Sequence, residues 1–357
     1  MTTRVQPLTA ADSLHRQNGR SASGAPTLNE VAALAGVGRG TVSRVLNDSP
    51  QVTETTRAAV LQAIAQLGYV PNRAARSLVT RRSDAVAVVI SEPGSRIFSE
   101  PFFGDFIRGV SEELGRTGLQ LLLAMARNDV ERDRLYRFLA GRHVDGVLLA
   151  SLHRDDPLPA VIADLGIPAV LAGRPAGPWA IPYVDADNVG GARAAVRHLL
   201  RQGRRTIATI TGRLDMESGS SRLAGYHEAL DEAGIEHDDR LVAPGDYTEI
   251  SGERAMRTLL RRAEGLDAVF VASDLMACGA LRVLAEQGLR VPDDVAMIGF
   301  EDSTVARHTH PRLTSVRQPT VAMGRHMVRL LTGSIPAGAP SPASVVLPTR
   351  LVVRESA

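Results

Sequence analysis

Two different spacings of apolar residues divide the chain. Between Thr27 and Gly68 hydrophobic positions recur every three or four residues. Leu28, Val31, Ala32 and Ala35 share one helical face, and Val60, Leu61, Ile64 and Leu67 share another. Thr27 followed three residues later by Glu30 has capping-box spacing, Thr53 with Thr56 and Arg57 opens a further helix, and Gly68 ends it. From Asp84 the pattern changes to short, nearly continuous apolar runs: AVAVVI (85–90), LQLLLAM (119–125), VDGVLLA (144–150), IPAVLAG (167–173), TIATIT (206–211), DAVFVAS (267–273) and DVAMIGF (294–300). Segments of helical spacing, such as Phe103–Arg116 and Asn128–Ala140, separate them.

Strands that read apolar throughout are buried on both faces, so the long second part predicts a doubly wound parallel α/β architecture. It falls into two blocks, 84–185 and 186–314. The tail, SVRQPTVAMGRHMVRLL and then VVLPTRLVV, adds one more strand, a helix and a strand pair. Residues of about 315–335 are expected to complete the first block and about 340–354 the second. The first 25 residues, rich in Ser, Thr, Gly and Gln without any period, read as a disordered leader.

Composition narrows the class. A chain of 357 residues, 44% hydrophobic and 22% charged, has the make-up of a folded globular protein of two or three units. The single cysteine, Cys278, excludes a disulfide framework and a cysteine-based zinc cluster. No run reaches the roughly 18 apolar residues of a membrane span, and the leader lacks a secretory apolar core. A cytoplasmic protein is expected. The net charge of +2 conceals an asymmetry: residues 1–82 carry +6 and the remainder −4, with arginine as the only strongly basic residue. A basic head on a mildly acidic body predicts a small polyanion-binding unit joined to something else.

The head has the parts of a helix-turn-helix in LNEVAALAGVGRGTVSRVLN (28–47). Ala32 is small where two helices cross, Gly36 permits the sharp turn, and Val37, Val42 and Val45 face inward. Arg39, Gly40, Thr41, Ser43 and Arg44 then look outward from the start of the second helix, the part that enters a major groove. Arginine forks suit guanine O6 and N7, whereas hydroxyls suit phosphate oxygens. The glycines of GVGRGT mimic a dinucleotide loop, but such a loop follows a buried strand, and here an amphipathic helix precedes it.

With TLNEVAALAGV, TVSRVLN and LGYVPNRAARSL in order, residues 26–83 resemble the DNA-binding head of the LacI/GalR family of transcriptional repressors. The resemblance implies a helix-turn-helix over 26–70 and a hinge helix and linker over 71–83. It implies that the protein works as a homodimer on a pseudo-palindromic double-stranded operator. Implied DNA contacts extend to Asn47 and, in the hinge, to Asn72, Arg73, Arg76, Ser77 and Leu78, the last as a minor-groove wedge. An isolated hinge of about eight residues would fold only on DNA. The arginines expected to meet phosphate or bases are Arg39, Arg44, Arg57, Arg73, Arg76, Arg81 and Arg82. Where family members usually carry a polar residue, this chain has Gly38, losing a helix cap.

In the body no catalytic signature stands out, neither a GxSxG elbow, a P-loop nor HExxH. The doublets Asp155–Asp156, Asp238–Asp239 and Asp293–Asp294 lie in turns and read as solvated loops, and His308 with His310 as another loop. Cys278 reads as a core residue. No metal and no cofactor are expected. Residues 84–354 resemble the same family through VDGVLL, YVDADNVGG, SSRLAGYHEAL, VFVASDLMACGALRVL, VPDDVAMIGFED and RLTSVRQP. This implies a periplasmic-binding-protein-like pair of lobes around a sugar cleft. The implied effector residues are Arg222, Tyr247 as a stacking ring, and Asp187, Ser273, Asp274 and Glu301 at strand ends, with Phe102 and Phe103 as a second stacking surface or as core. AALAGVGRGTVSRVLN, NRAARSLVTRRSDAVAVVISE and DGVLLASLHRDDPLP are similar to the cellobiose-responsive repressors of actinobacteria. The expected function is therefore a repressor, not an enzyme, released from DNA by cellobiose or a cello-oligosaccharide. Maltose or another plant-wall oligosaccharide is the alternative effector. A sugar-binding protein or an enzyme with a fused DNA-binding head is the alternative class.

Overall fold

The computed structural model describes residues 25–70, 82–126, 128–175, 181–335 and 344–357. It forms two compact units that divide between Arg81 and Arg82. The implied hinge contacts Asn72, Arg73, Arg76, Ser77 and Leu78 lie outside the described residues, as does the leader up to residue 24.

The head consists of α1 (Leu28–Leu34), α2 (Arg39–Leu46) and α3 (Glu54–Leu67). Thr27 and Glu30 form the reciprocal capping box at the start of α1, and Thr53 caps α3 through Thr56 N. Gly36 turns the chain at φ +65°, a left-handed conformation that glycine adopts without penalty. The Val37 amide then donates back to Ala32 O at 3.0 Å. Val31, Val42 and Val60, one from each helix, are fully buried and join Ala32, Val45, Ala63 and Tyr69 in the core. Complete burial of a valine contributes about 1.5–3 kcal/mol, so these three residues hold most of a small unit together.

The body contains two six-stranded sheets. The first runs in the order β11 (Val345–Leu347), β5 (Tyr183–Ala186), β4 (Ala169–Ala172), β3 (Gly146–Ala150), β1 (Ala85–Ile90), β2 (Gln120–Met125). The second runs β12 (Arg350–Val352), β10 (Thr314–Arg317), β9 (Ala296–Glu301), β8 (Ala268–Val271), β6 (Ile207–Thr211), β7 (Val242–Pro244). Every pairing is parallel except β10 with β12. Helices α4 (Gly94–Ser99), α5 (Pro101–Leu114), α6 (Asp129–Ala140) and α7 (Leu158–Leu165) connect strands of the first sheet. Helices α8 (Asn188–Arg201), α9 (Glu217–Glu232), α10 (Glu249–Arg262) and α11 (Asp274–Glu286) belong to the second, and α12 (Thr320–Ser334) returns to pack on α5. That packing is close: a Cβ on Gly109 of α5 would meet Val321 O at 2.1 Å. No helix of the described residues is long and apolar enough to cross a membrane.

Two expectations change. The strand 314–317, expected to complete the first block, pairs with β9 in the second sheet, whereas 345–347, expected in the second, pairs with β5 in the first. The chain thus crosses between lobes three times, after β5, after β10 and between β11 and β12. The run 119–125, expected to be covered on both faces, leaves Leu122, Leu123 and Met125 exposed, each at 38–40%. Its apolar content is that of a buried strand, but it pairs only with β1 and forms the sheet edge.

Candidate DNA-recognition helix and ligand cleft

In the head, Arg39, Gly40, Arg44 and Asn47 are exposed, and Thr41 and Ser43 partly so, on the face of α2 opposite Val42 and Val45. Among the described residues neither the Arg39 nor the Arg44 guanidinium has a hydrogen-bond or ion-pair partner. An exposed cation without an internal partner keeps its full capacity for phosphate or guanine. Gly38 is the N-cap of α2 and supplies no side-chain bond, so the first amides of the helix remain available. Arg57 departs from its expected role. It donates to Asp48 Oδ1 at 2.6 Å and to Ser49 O at 2.9 Å, pinning the loop after α2. Arg82 belongs to the body, with Nε 4.0 Å from Asp145 Oδ2.

In the body, the loops at the C-terminal ends of both sheets face a cleft of about 970 Å³, its open mouth included. Arg222, in the second turn of α9, is held there by three hydrogen bonds. It is 3% exposed and donates from Nε to Asn188 Oδ1 at 2.9 Å, from Nη1 to Ala272 O at 2.6 Å and from Nη2 to Gln318 Oε1 at 2.9 Å. Its guanidinium carbon lies 3.8 Å from the centroid of the Phe300 ring. Three of five N–H groups are thereby spent on neutral acceptors, and one on each Nη is left for a ligand.

Glu301 lines the same cleft at the end of β9, in a backbone conformation of φ +105° that favours glycine. Its carboxyl has no hydrogen-bond partner among the described residues. Burial, opposed in part by Arg222, holds it well above its ordinary range. Tyr247, at φ +72°, is buried with its hydroxyl 3.0 Å from Ser218 Oγ. Its ring fills the space where a Cβ on Gly212 would stand, and the Arg96 guanidinium of the other lobe lies 5.3 Å from the ring centroid. Stacking of a sugar on this ring therefore requires Arg96 to move. Phe102 is half-buried at the cleft, edge-on to Phe103 at 5.3 Å, while Phe103 is fully buried and mainly core.

Three expected residues do not line the cleft. Asp187 is exposed and caps α8 through Gly190 N at 2.9 Å. The aspartate of YVDADN that reaches the cleft is Asp185, the last but one of β5. It is buried, accepts from Asn188 Nδ2 at 3.0 Å, and burial pushes its pKa up to about 6. Ser273 is the buried N-cap of α11. Asp274 is fully buried and ties β10 to the loop after β9, accepting from Ser315 Oγ at 2.5 Å and from Ser303 N at 2.7 Å, and burial pushes it up to about 7. Both serve the second lobe's framework.

The structure also brings together a group absent from the expectations. Glu92 Oε1 accepts from Arg96 Nη1 at 2.6 Å and Ser151 Oγ at 2.8 Å, and lies 3.2 Å from His153 Nε2. Across the cleft, His153 Nδ1 lies 2.9 Å from Asp215 Oδ2, and Arg154 N donates to Asp215 O at 2.8 Å. Arg213 forks onto Asp215 at 3.0 and 2.8 Å. The triplet SLH beside DGVLLA was the only local signal, and its partners lie far off in sequence.

A helix-turn-helix with exposed arginines on its second helix, joined to two α/β lobes around a cleft that holds a buried arginine, defines a ligand-responsive DNA-binding regulator. Residues 27–72 match the model of bacterial regulatory proteins of the lacI family, and residues 196–357 match a periplasmic binding protein-like domain. The chain is 56% identical to the HTH-type transcriptional regulator CelR of Thermobifida fusca over 93% of its length and 98% of that protein's. It is 36% identical to the regulator GalR of Escherichia coli strain K12, over 85% of this chain and 88% of the other. Among solved structures, a CelR–cellobiose complex matches with 54% identity and a TM-score of 0.76, covering 93% of this chain and all of that one. The lac repressor dimer bound to operator and an anti-inducer matches with 28% identity and a TM-score of 0.81, covering 93% and 98%. This chain belongs to the LacI family of bacterial transcriptional regulators.

Proposed function

We propose that this protein is a cytoplasmic repressor that binds a pseudo-palindromic operator as a homodimer and releases it when its cleft takes up cellobiose or a short cello-oligosaccharide. It would thereby control genes for cellulose or β-glucan use. The observation that carries the reading is the pairing, in one chain, of two unlike sites. One is the exposed face of α2, where Arg39 and Arg44 have no partner among the described residues; the other is a cleft whose buried Arg222 keeps two N–H groups. A planar fork with neutral partners, beside the carboxyl groups of Asp185 and Glu301, suits the vicinal hydroxyls of an uncharged sugar. The exposed apolar edge of β2 supports pairing with a second copy. The likeness to a regulator whose solved complex contains cellobiose supports that sugar as the effector.

A ligand releases DNA only by binding the released state better than the DNA-bound state. Here cellobiose would favour the closed cleft, and the lobes would pass the change to the heads through residues 71–83. Titration of a protein–operator complex with a panel of sugars in a gel-shift assay tests this. Cellobiose should free the DNA while maltose leaves it bound. Tighter DNA binding with sugar would instead mean co-repression.

A further inference from the structure

We propose that His153 is a proton-operated latch across the cleft, bonding Glu92 of one lobe and Asp215 of the other at once only when its ring carries both protons, so that closure on the effector takes up a proton. The ligand half of this proposal rests on the effector reading above; the latch itself rests on contacts between the lobes.

His153 sits in the loop after β3 of the first lobe. Glu92, on the loop after β1 of the same lobe, is 3.2 Å from Nε2, and Asp215, on the loop after β6 of the other lobe, is 2.9 Å from Nδ1. An ionised carboxylate offers only lone pairs, and a neutral imidazole has one N–H and one lone pair. A neutral ring can therefore satisfy one carboxylate and must turn a lone pair towards the other. The imidazolium alone donates to both.

The surroundings keep both carboxylates ionised. Arg213, from the same loop as Asp215, holds that carboxyl well below its ordinary range, with His153 adding to the effect. Burial alone would raise Glu92, but bonds from His153, Arg96 and Ser151 outweigh it and hold it low. From α4, Arg96 is shared between Glu92 and Glu100. On the histidine's own loop, Arg154 contributes a backbone bond to Asp215 O that does not depend on the proton, and Asp156 N donates to His153 O at 3.1 Å. The ring's own value is raised, chiefly by its bond to Glu92; burial opposes this, and the bond to Asp215 adds to the rise. Its side chain is 25% exposed, so protons reach it from solvent and its ion pairs are partly screened.

The sign follows from linkage. Glu92, on the same lobe, faces the ring whether the cleft is open or closed; the bond to Asp215 is what closure adds, so the latched ring binds its proton more tightly than that of the open cleft. The latch is fully present below the pKa of the open state and is lost as pH rises through the higher value of the latched state. Affinity for a ligand that closes the cleft should fall over the same window, by about tenfold for each unit that closure adds.

The test uses the full chain. In an NMR titration with labelled histidine, His153 should titrate above 6.5, and Asp215→Asn should bring it down towards that value. Calorimetry with cellobiose, in two buffers of different ionisation heat near neutrality, should show proton uptake that His153→Asn abolishes. An ordinary titration unmoved by Asp215→Asn overturns the latch, and cellobiose binding without proton uptake overturns its coupling to closure. The predicted NMR shifts in a protein that binds no cellobiose would keep the latch and reject the effector reading.

Discussion

The protein holds two arginine sites of opposite construction. Arg39 and Arg44 stand on an exposed helix face with no partners among the described residues, whereas Arg222 is enclosed and three of its N–H groups are spoken for. The first arrangement costs nothing in desolvation and leaves full charges to displace counterions from a polyanion. The second fixes orientation before any ligand arrives, and its neutral acceptors leave a dipolar, hydroxyl-bearing molecule as the natural guest. Charge that is free selects a charged partner. A charge already cradled by amide oxygens selects geometry.

The sharpest way to break this contrast is Arg222→Ala. It strands the acceptors of Asn188, Ala272 and Gln318 in a buried site, so unfolding in urea should show a loss of about 3 kcal/mol. Gel-shift assays should show operator binding kept but the sugar response gone. Loss of DNA binding instead would make Arg222 a scaffold residue. Next in size, Arg44→Ala should weaken operator binding by about 1–3 kcal/mol and relax base preference, with cellobiose affinity unchanged in calorimetry. Unaltered specificity in a binding-site selection would remove Arg44 from the groove.

Arg57→Ala separates a loop clamp from a DNA contact. Its exposed pair with Asp48 is worth about 0.2–1 kcal/mol, so the head's melting temperature should drop slightly while base preference stays the same. Gly38→Ser should have the smallest effect. Nothing lies within 4 Å of a Cβ there and the backbone is already extended, so the new hydroxyl can cap α2. The gain is a few tenths of a kcal/mol, measurable by differential scanning calorimetry.

The head and the strands were legible in the sequence because capping boxes, turn glycines and apolar runs are local signals. AVAVVI forms β1 over the residues expected, 85–90. What was not legible was topology. Nothing in LQLLLAM says that it will be an edge, and nothing in VVLPTRLVV says that its halves join different sheets. β7, at three residues, is too short to show a pattern. In the cleft, Arg222, Tyr247, Glu301 and Phe102 could be named because a resemblance marked them. Asp187 was two residues wrong because the strand ends before it and the next helix needs a cap. The His153–Asp215 contact joins residues 62 apart on separate lobes, and no spacing rule reaches that far.

The three crossings between the lobes have a mechanical consequence. Asp187 N donates to Leu347 O at 2.9 Å and Thr349 Oγ1 to Asp187 O at 3.1 Å, so the first and third straps are stitched to each other. A single strap would let one lobe swivel, slide or tilt freely. Several straps, two of them bonded together, resist sliding and behave as a door hinge with one preferred axis. The work done by a small guest should then go into one rotation rather than many modes of motion, the form in which a distant reader can use it.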